Sequence, residues 1–304
     1  MNNDFPAISI LIPSYNHEKY IEQCLNSILE ENYPNKEIVI IDDGSTDKTP
    51  EIIEQWAEKN KDIIKVIFKK RENKGVPKTV NELIDLSTGE YLVLFSSDDY
   101  LLKGGIFARY NYLKENPHKM AVFGDCTVVD ENNNKIYDSG IFQLYKRKKQ
   151  NYLNDKGLRK EIFLYFSLPG PVLMVKKEIY NVIGKYDKSI LYEDFDFYLK
   201  TVSENLLGFV DFSVSAYRKH ESNTCGNKEF ILKATPSHLR LLFKNYNLFN
   251  GFRFLYFKKI LSVIVLGIYL RLYIFLKNAK LKFFFNILII SKNIIIGKNL
   301  KEGL

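Results

Sequence analysis

Apolar residues fall along the chain in short runs, each closed by a polar turn and followed by a stripe at helical spacing. Ile8-Ser9-Ile10-Leu11-Ile12 is the first run, ended by Pro13 and the turn Ser14-Tyr15-Asn16-His17. Ile21, Cys24, Leu25, Ile28 and Leu29 then recur at i, i+3, i+4, i+7 and i+8, which predicts an amphipathic helix. Glu37 to Ile41 predicts a second strand entering Asp42-Asp43-Gly44-Ser45-Thr46-Asp47, with Thr49 and Pro50 as N-cap and first position of a helix through Trp56. Ile63 to Phe68 is the third strand, and the polar loop Arg71 to Lys78 leads to a helix around Leu83 and Leu86. Tyr91 to Phe95 lacks alternation, as expected of a strand covered on both faces. This repeated order predicts a doubly wound α/β sheet with right-handed crossovers.

Beyond a helix near Ile106 to Leu113, Met120 to Val129 and Lys135 to Ile141 predict an antiparallel pair around the turn at 130–134. Val210 to Tyr217 alternates as a strand. Thr235-Pro236 reads as the cap of a helix leading into the tail. From Phe252 onward the chain turns aromatic, aliphatic and basic. Its apolar stretch Ile260 to Leu270 is shorter than the roughly 20 residues a bilayer span needs. Residues 252–300 therefore suit helices lying on an anionic membrane surface, with a tilted span or a helical cap or dimer surface as alternatives.

The net charge of +8 belongs to this tail. Residues 251–304 hold ten of the 44 bases and one of the 36 acids, leaving 34 bases against 35 acids before them. A basic catalytic region wrapped around nucleic acid is thereby disfavoured. Cys24, Cys126 and Cys225 show no paired spacing, so neither a disulfide frame nor a zinc site is expected, and a reducing cytosol fits. Met1 to Pro6 shows no basic-then-apolar pattern, and no secretory signal is expected.

The fourth run is cut off by Asp98-Asp99. Two like charges at a strand's carboxyl end repel, that end is where open α/β sheets bind ligands, and a hard divalent cation would relieve the repulsion. Capping a following helix is the competing role. Asp42-Asp43-Gly44-Ser45 occupies the matching end of the second strand, suited to a ring N–H or a ribose hydroxyl, or equally to an Asx turn with Gly44 at positive φ. Glu193, Asp194 and Asp196 lie among aromatics, where desolvation would make a carboxylate a better base. Asp194 and Asp196 point to roughly opposite helix faces, so one pocket cannot use both. An acidic first helical turn explains the same pattern. His220, just past a strand, is either a metal or phosphate ligand or a structural histidine.

Taken in order, Ser9 to Asn16, Ile41 to Asp47, Asn73 and Gly75, Thr88 to Tyr91, Asp98-Asp99 and Glu193-Asp194 resemble the family 2 glycosyltransferases of the GT-A type, from about Ile8 to Thr224. The resemblance implies a Rossmann-like mixed sheet with helices on both faces and a C-terminal helical extension. It implies a catalytic domain over 1–228, its nucleotide-sugar half within about 1–100 and its acceptor half beyond, followed by a tail over 229–304. Implied, too, is transfer of a sugar from a nucleotide-diphospho-sugar to an acceptor hydroxyl with inversion. Asp43 would contact the base, Pro13 and Tyr15 would line its pocket, and Asn73 and Gly75 would belong to the same site. Asp98 would lie near the ribose, Asp99 would ligate Mg2+ or Mn2+ on the diphosphate with His220 beside it, and Asp194 would be the general base. Such a metal offsets charge growing on the leaving group, and a single displacement needs one base where glycoside hydrolysis uses two carboxylates.

Two departures qualify the match. The acidic pair lacks the spaced Asp-x-Asp form, and no Gln-x-x-Arg-Trp follows Asp194, which implies a non-processive enzyme. The expected setting is surface polysaccharide, lipopolysaccharide or glycolipid assembly on the cytoplasmic face of a membrane, with a glycan or lipid-linked acceptor. A sugar-phosphate nucleotidyltransferase is the alternative, although Pro13-Ser14-Tyr15-Asn16 is not its glycine-rich loop. A catalytically inactive membrane-binding module is the other.

Overall fold

A computed structural model of the chain describes residues 5–221, 223, 228–249 and 253–278. Three parallel units open it: β1 (Ile8–Ser14) and α1 (Ile21–Glu30), β2 (Lys36–Asp42) and α2 (Thr49–Asn60), then β3 (Lys65–Lys70) and α3 (Val76–Leu86). β4 (Tyr91–Leu94) and the short β5 (Tyr100–Leu101) precede α4 (Gly105–Glu115). The second half contains β6 (Ala121–Val129), β7 (Lys135–Tyr137), α5 (Asp155–Leu164), β8 (Leu173–Lys176), α6 (Ile179–Ile183), α7 (Glu193–Ser203) and β9 (Leu207–Arg218). Helices α8 (Lys228–Lys244) and α9 (Arg253–Asn278) follow.

The strands form one mixed sheet in the order β3-β2-β1-β4-β8-β6-β9-β5, with β7 on β6. β1, β2, β3 and β4 run parallel, whereas β8 is antiparallel to β4 and to β6. Because β1 lies between β2 and β4, its carboxyl end, with the loops after β1, β2 and β4, is a topological switch point, the place where open α/β sheets bind ligands.

The missing alternation in these strands follows from helices on both faces. Ile8, Ile10 and Ile12 enter the cluster containing Cys24, Leu25 and Ile53, while Leu11 enters the opposite cluster with Leu83 and Phe195. The third strand is shifted two residues past the expected one, and the second member of the β6 hairpin is only three residues long. Gly44 stands at φ 85°, and a β-carbon there would lie 2.8 Å from the backbone nitrogen of Asn73, so the turn needs glycine. Thr49 does not cap α2 by itself; its N–H bonds to Asp47 Oδ1.

Pro236 lies inside α8, not at its start. Part of the tail packs on the catalytic region: Leu241, Leu242, Tyr256 and Val263 share one core with α5 and α7. No helix among the described residues is long and apolar enough to cross a membrane. Cys225 and residues 279–304 lie outside the described residues.

Candidate active site

The loop after β1 is laced to the loop after β2. Asn16 N bonds to Ser45 Oγ, Thr46 N to Asn16 Oδ1, Glu18 N to Asp47 Oδ2 and His17 N to Thr49 Oγ1. Asp42 closes this turn through its side chain, accepting from Ser45 N at 2.9 Å, three residues on where an Asx turn reaches two. Asp43 is buried, and its carboxylate takes the backbone N–H groups of Lys74 and Gly75 and the Arg71 guanidinium at 3.1 Å. Asp43 thus clamps the Asn73–Gly75 loop over the carboxyl end of β2. Pro13 is the penultimate residue of β1, and Tyr15 just beyond it is 46 % exposed.

Arg71 opens the polar loop 71–78, whose lysines and arginines the sequence offers either to a diphosphate or to solvent; in the structure it turns to Asp43 instead. Its side chain is buried, bonded through Nη2 to Thr79 and Asp43, with Nε 3.5 Å from Glu82 Oε2 and Nη1 without a hydrogen-bond partner among the described residues.

The loop after β4 holds the second half of the site. Asp98 Oδ2 lies 3.0 Å from His220 Nε2 and 3.8 Å from His17 Nε2, and the ligating atoms of these three residues all fall within 4.8 Å of one another. His17 Nδ1 sits 2.7 Å from Ser97 Oγ. Burial alone would raise the Asp98 carboxyl, but the His220 bond and the fields of His17 and His220 hold it below the usual range. Burial lowers the His17 pKa, favouring the neutral imidazole that binds metal.

Asp99 does not join this group. It is 2 % exposed, and its Oδ1 accepts from the Arg218 backbone N–H at 2.7 Å. Burial, then the adjacent Asp98, pushes its carboxyl well above the ordinary range. The sequence expectation put Asp99 on the cation and Asp98 near the ribose; in the structure it is Asp98 Oδ2 that meets the two histidines, while Asp99 is engaged by the Arg218 backbone. Neither caps a helix, since α4 begins at Gly105.

Arg218, at the end of β9, is 1 % exposed and ties the site together. Its guanidinium reaches Asp98 O, Asp130 O, Asn133 Oδ1 and Gln23 Oε1, with the Tyr20 ring 4.8 Å away. Arg218→Ala strands these acceptors and is expected to cost about 1–3 kcal/mol, read as a lower denaturant midpoint.

Glu193 and Asp194 open α7. Asp194 keeps solvent contact, yet the surrounding protein pushes its carboxyl up to about 6; burial and Asp194 push Glu193 up to about 8. Asp196 turns inward to Asn245 and Lys200. The turn before β8 links α7 to the acidic loop: Phe166 packs on Phe195 at 4.6 Å, and a β-carbon on Gly170 would lie 3.4 Å from Ser96 Oγ.

This fold is that of the GT-A glycosyltransferases. The structure resembles a Pyrobaculum calidifontis mannosyltransferase solved with GDP-Man and Mn2+, with TM-score 0.61, 18% identity, and 87% of this chain and 74% of that one covered. It also resembles S. aureus TarS solved with UDP, with TM-score 0.55, 20% identity, and coverage of 78% and 65%. Residues 9–183 match the family described as glycosyl transferase family 2, and the chain belongs to that family. An uncharacterized glycosyltransferase of Rickettsia typhi is 27% identical over 227 residues, which are 73% of this chain and 67% of the relative. A poly(ribitol-phosphate) beta-glucosyltransferase of Bacillus spizizenii is 37% identical over 112 residues, 36% of this chain and 17% of that protein.

Proposed function

We propose that this protein moves a single sugar from a nucleoside-diphosphate sugar to an acceptor hydroxyl with inversion, assisted by a divalent cation. The observation that carries this reading is the Asp98 carboxylate held between His17 and His220 at the same carboxyl end of the sheet as the Asp43–Arg71 pair. Bound there, Mg2+ or Mn2+ would offset negative charge on the departing diphosphate. Asp98 and His220 would hold it, in place of Asp99. Pro13, Tyr15 and Arg71 would receive the base, with Asp43, Asn73 and Gly75 shaping that wall. Asp194 would take the acceptor's proton.

A screen of nucleotide sugars for metal-dependent release of nucleoside diphosphate tests the proposal. Release that needs both a cation and an acceptor is expected; a chain that turns over no nucleotide sugar under any cation would overturn it. The mannosyl and glucosyl activities in the names of the relatives support sugar transfer, and a surface polysaccharide, lipopolysaccharide or glycolipid acceptor is the reading we favour.

We place the protein on the cytoplasmic face of a membrane, through α9. Phe257, Leu261, Ile264, Ile268 and Leu272 are all exposed, and their spacing aligns them along one side of the helix, opposite the buried Tyr256, Val263 and Leu270. Lys258 and Arg271 flank the stripe, which suits anionic lipid. Leu261→Asp with Ile268→Asp is expected to weaken binding to anionic vesicles tenfold or more, by roughly 1.5 kcal/mol or more, in sedimentation. Unchanged sedimentation would move the stripe to a protein partner.

A further inference from the structure

The cation site contains one residue more than charge neutralisation requires. Asp98 and His220 would suffice to hold a hard cation whose remaining positions are filled by water and phosphate oxygens, since Mg2+ is usually bound through one or two carboxylates. His17 comes from a different loop, 81 residues away from Asp98 in the chain, and its ring is fixed from behind. Ser97 Oγ is 2.7 Å from Nδ1, which leaves Nε2 directed at Asp98 Oδ2, 3.8 Å away. A hydroxyl on one imidazole nitrogen orienting the other toward a cation is the usual outer-shell arrangement of a ligating histidine. His220 is held differently: its backbone N–H bonds to Asn223 Oδ1 at 2.6 Å, and Asn223 Nδ2 lies 3.1 Å from its Nε2, a contact that a bound cation would displace. The two rings meet edge to face with centroids 5.8 Å apart, so both nitrogens approach the same carboxylate.

Resting on the reading of this cluster as a cation site, we infer that His17 is a third protein ligand. The three side chains then form a preorganised two-imidazole, one-carboxylate set that takes a borderline transition-metal ion in preference to Mg2+, before any donor arrives. Two independent features support this. Imidazole nitrogens suit zinc, cobalt, nickel and iron, whereas magnesium asks for oxygen ligands. Three preplaced protein ligands also remove the need for the diphosphate to complete binding.

The full-length protein, stripped with chelator and free of nucleotide, would be titrated with Zn2+, Co2+, Mn2+ and Mg2+ by calorimetry, with Co2+ visible absorption reporting nitrogen ligation. Wild type is expected to bind Zn2+ and Co2+ at least 100-fold more tightly than Mg2+. His17→Ala is expected to lose tenfold or more of the Zn2+ and Co2+ affinity, to leave Mg2+ nearly unchanged and to alter the Co2+ spectrum. The His17 backbone N–H keeps its bond to Thr49 Oγ1, and circular dichroism checks the fold of the variant. Equal Zn2+ affinity in wild type and His17→Ala, or Mg2+ binding as tightly as Zn2+, would overturn the inference. If nucleotide-sugar turnover still needs a cation in that case, the proposed function stands without a ligand role for His17. If Asp98→Ala also leaves Zn2+ affinity intact, the whole cation site is elsewhere.

Discussion

Asp98→Ala is expected to lower kcat/KM for sugar transfer by about 10³-fold, because it removes the only carboxylate among the described residues that reaches both histidines. The loss corresponds to several kcal/mol of charge stabilisation on the leaving diphosphate. Asp98 is suited to this role because its surroundings hold it ionised. Asp99→Asn is the discriminating partner experiment: the amide oxygen can still accept from Arg218 N, so metal-dependent transfer is expected to stay within about tenfold of wild type. The reverse ranking of the two variants, measured in one donor-turnover assay over a range of Mn2+ concentration, would return the metal to Asp99.

Asp194→Asn should be nearly as severe in kcat and nearly silent in donor binding. General-base assistance contributes about 10²–10⁴-fold, and an asparagine keeps the shape while losing the proton acceptor. The pH profile adds a second reading. A base must be unprotonated to act, so wild-type transfer is expected to rise with pH through about 6, the value to which desolvation by the surrounding protein pushes this carboxyl although its residue keeps solvent contact. Because Glu193 adjoins it and is pushed to about 8, the limb belongs to the pair. Donor affinity by calorimetry that falls together with kcat would make Asp194 a structural residue.

The helices and the central strands of the first hundred residues were legible because β1, β2 and β4 are covered on both faces and each helix carries one apolar stripe, whereas the edge strand β3, half exposed, lies two residues past its expected place. Periodicity reports that burial directly. It does not report which of two adjacent carboxylates faces out, since Asp98 and Asp99 differ only in the side of the chain from which they project. His17 and Arg71 lie in loops without any period. Ser97 and Thr79 engage them only after folding, so nothing local fixed where their side chains would turn. The tail shows the same limit. Its basic and apolar composition was plain, but the inward contacts of α8 and α9 depend on Asn245, Tyr256 and Lys259 meeting partners far upstream or across a helix pair.

Those inward contacts bear on how the enzyme can be divided. Asp196 is 1 % exposed, and two of its partners, Asn245 and Lys244, come from the segment beyond residue 228. Cutting there would leave a sequestered anion with Lys200 alone and uncover greasy surface on the helix that presents Asp194. If α9 anchors the chain to lipid and Asp194 takes the acceptor proton, as proposed, the two roles share one mechanical part, and a liberated fragment should be a poor catalyst even with the Asp98 site complete.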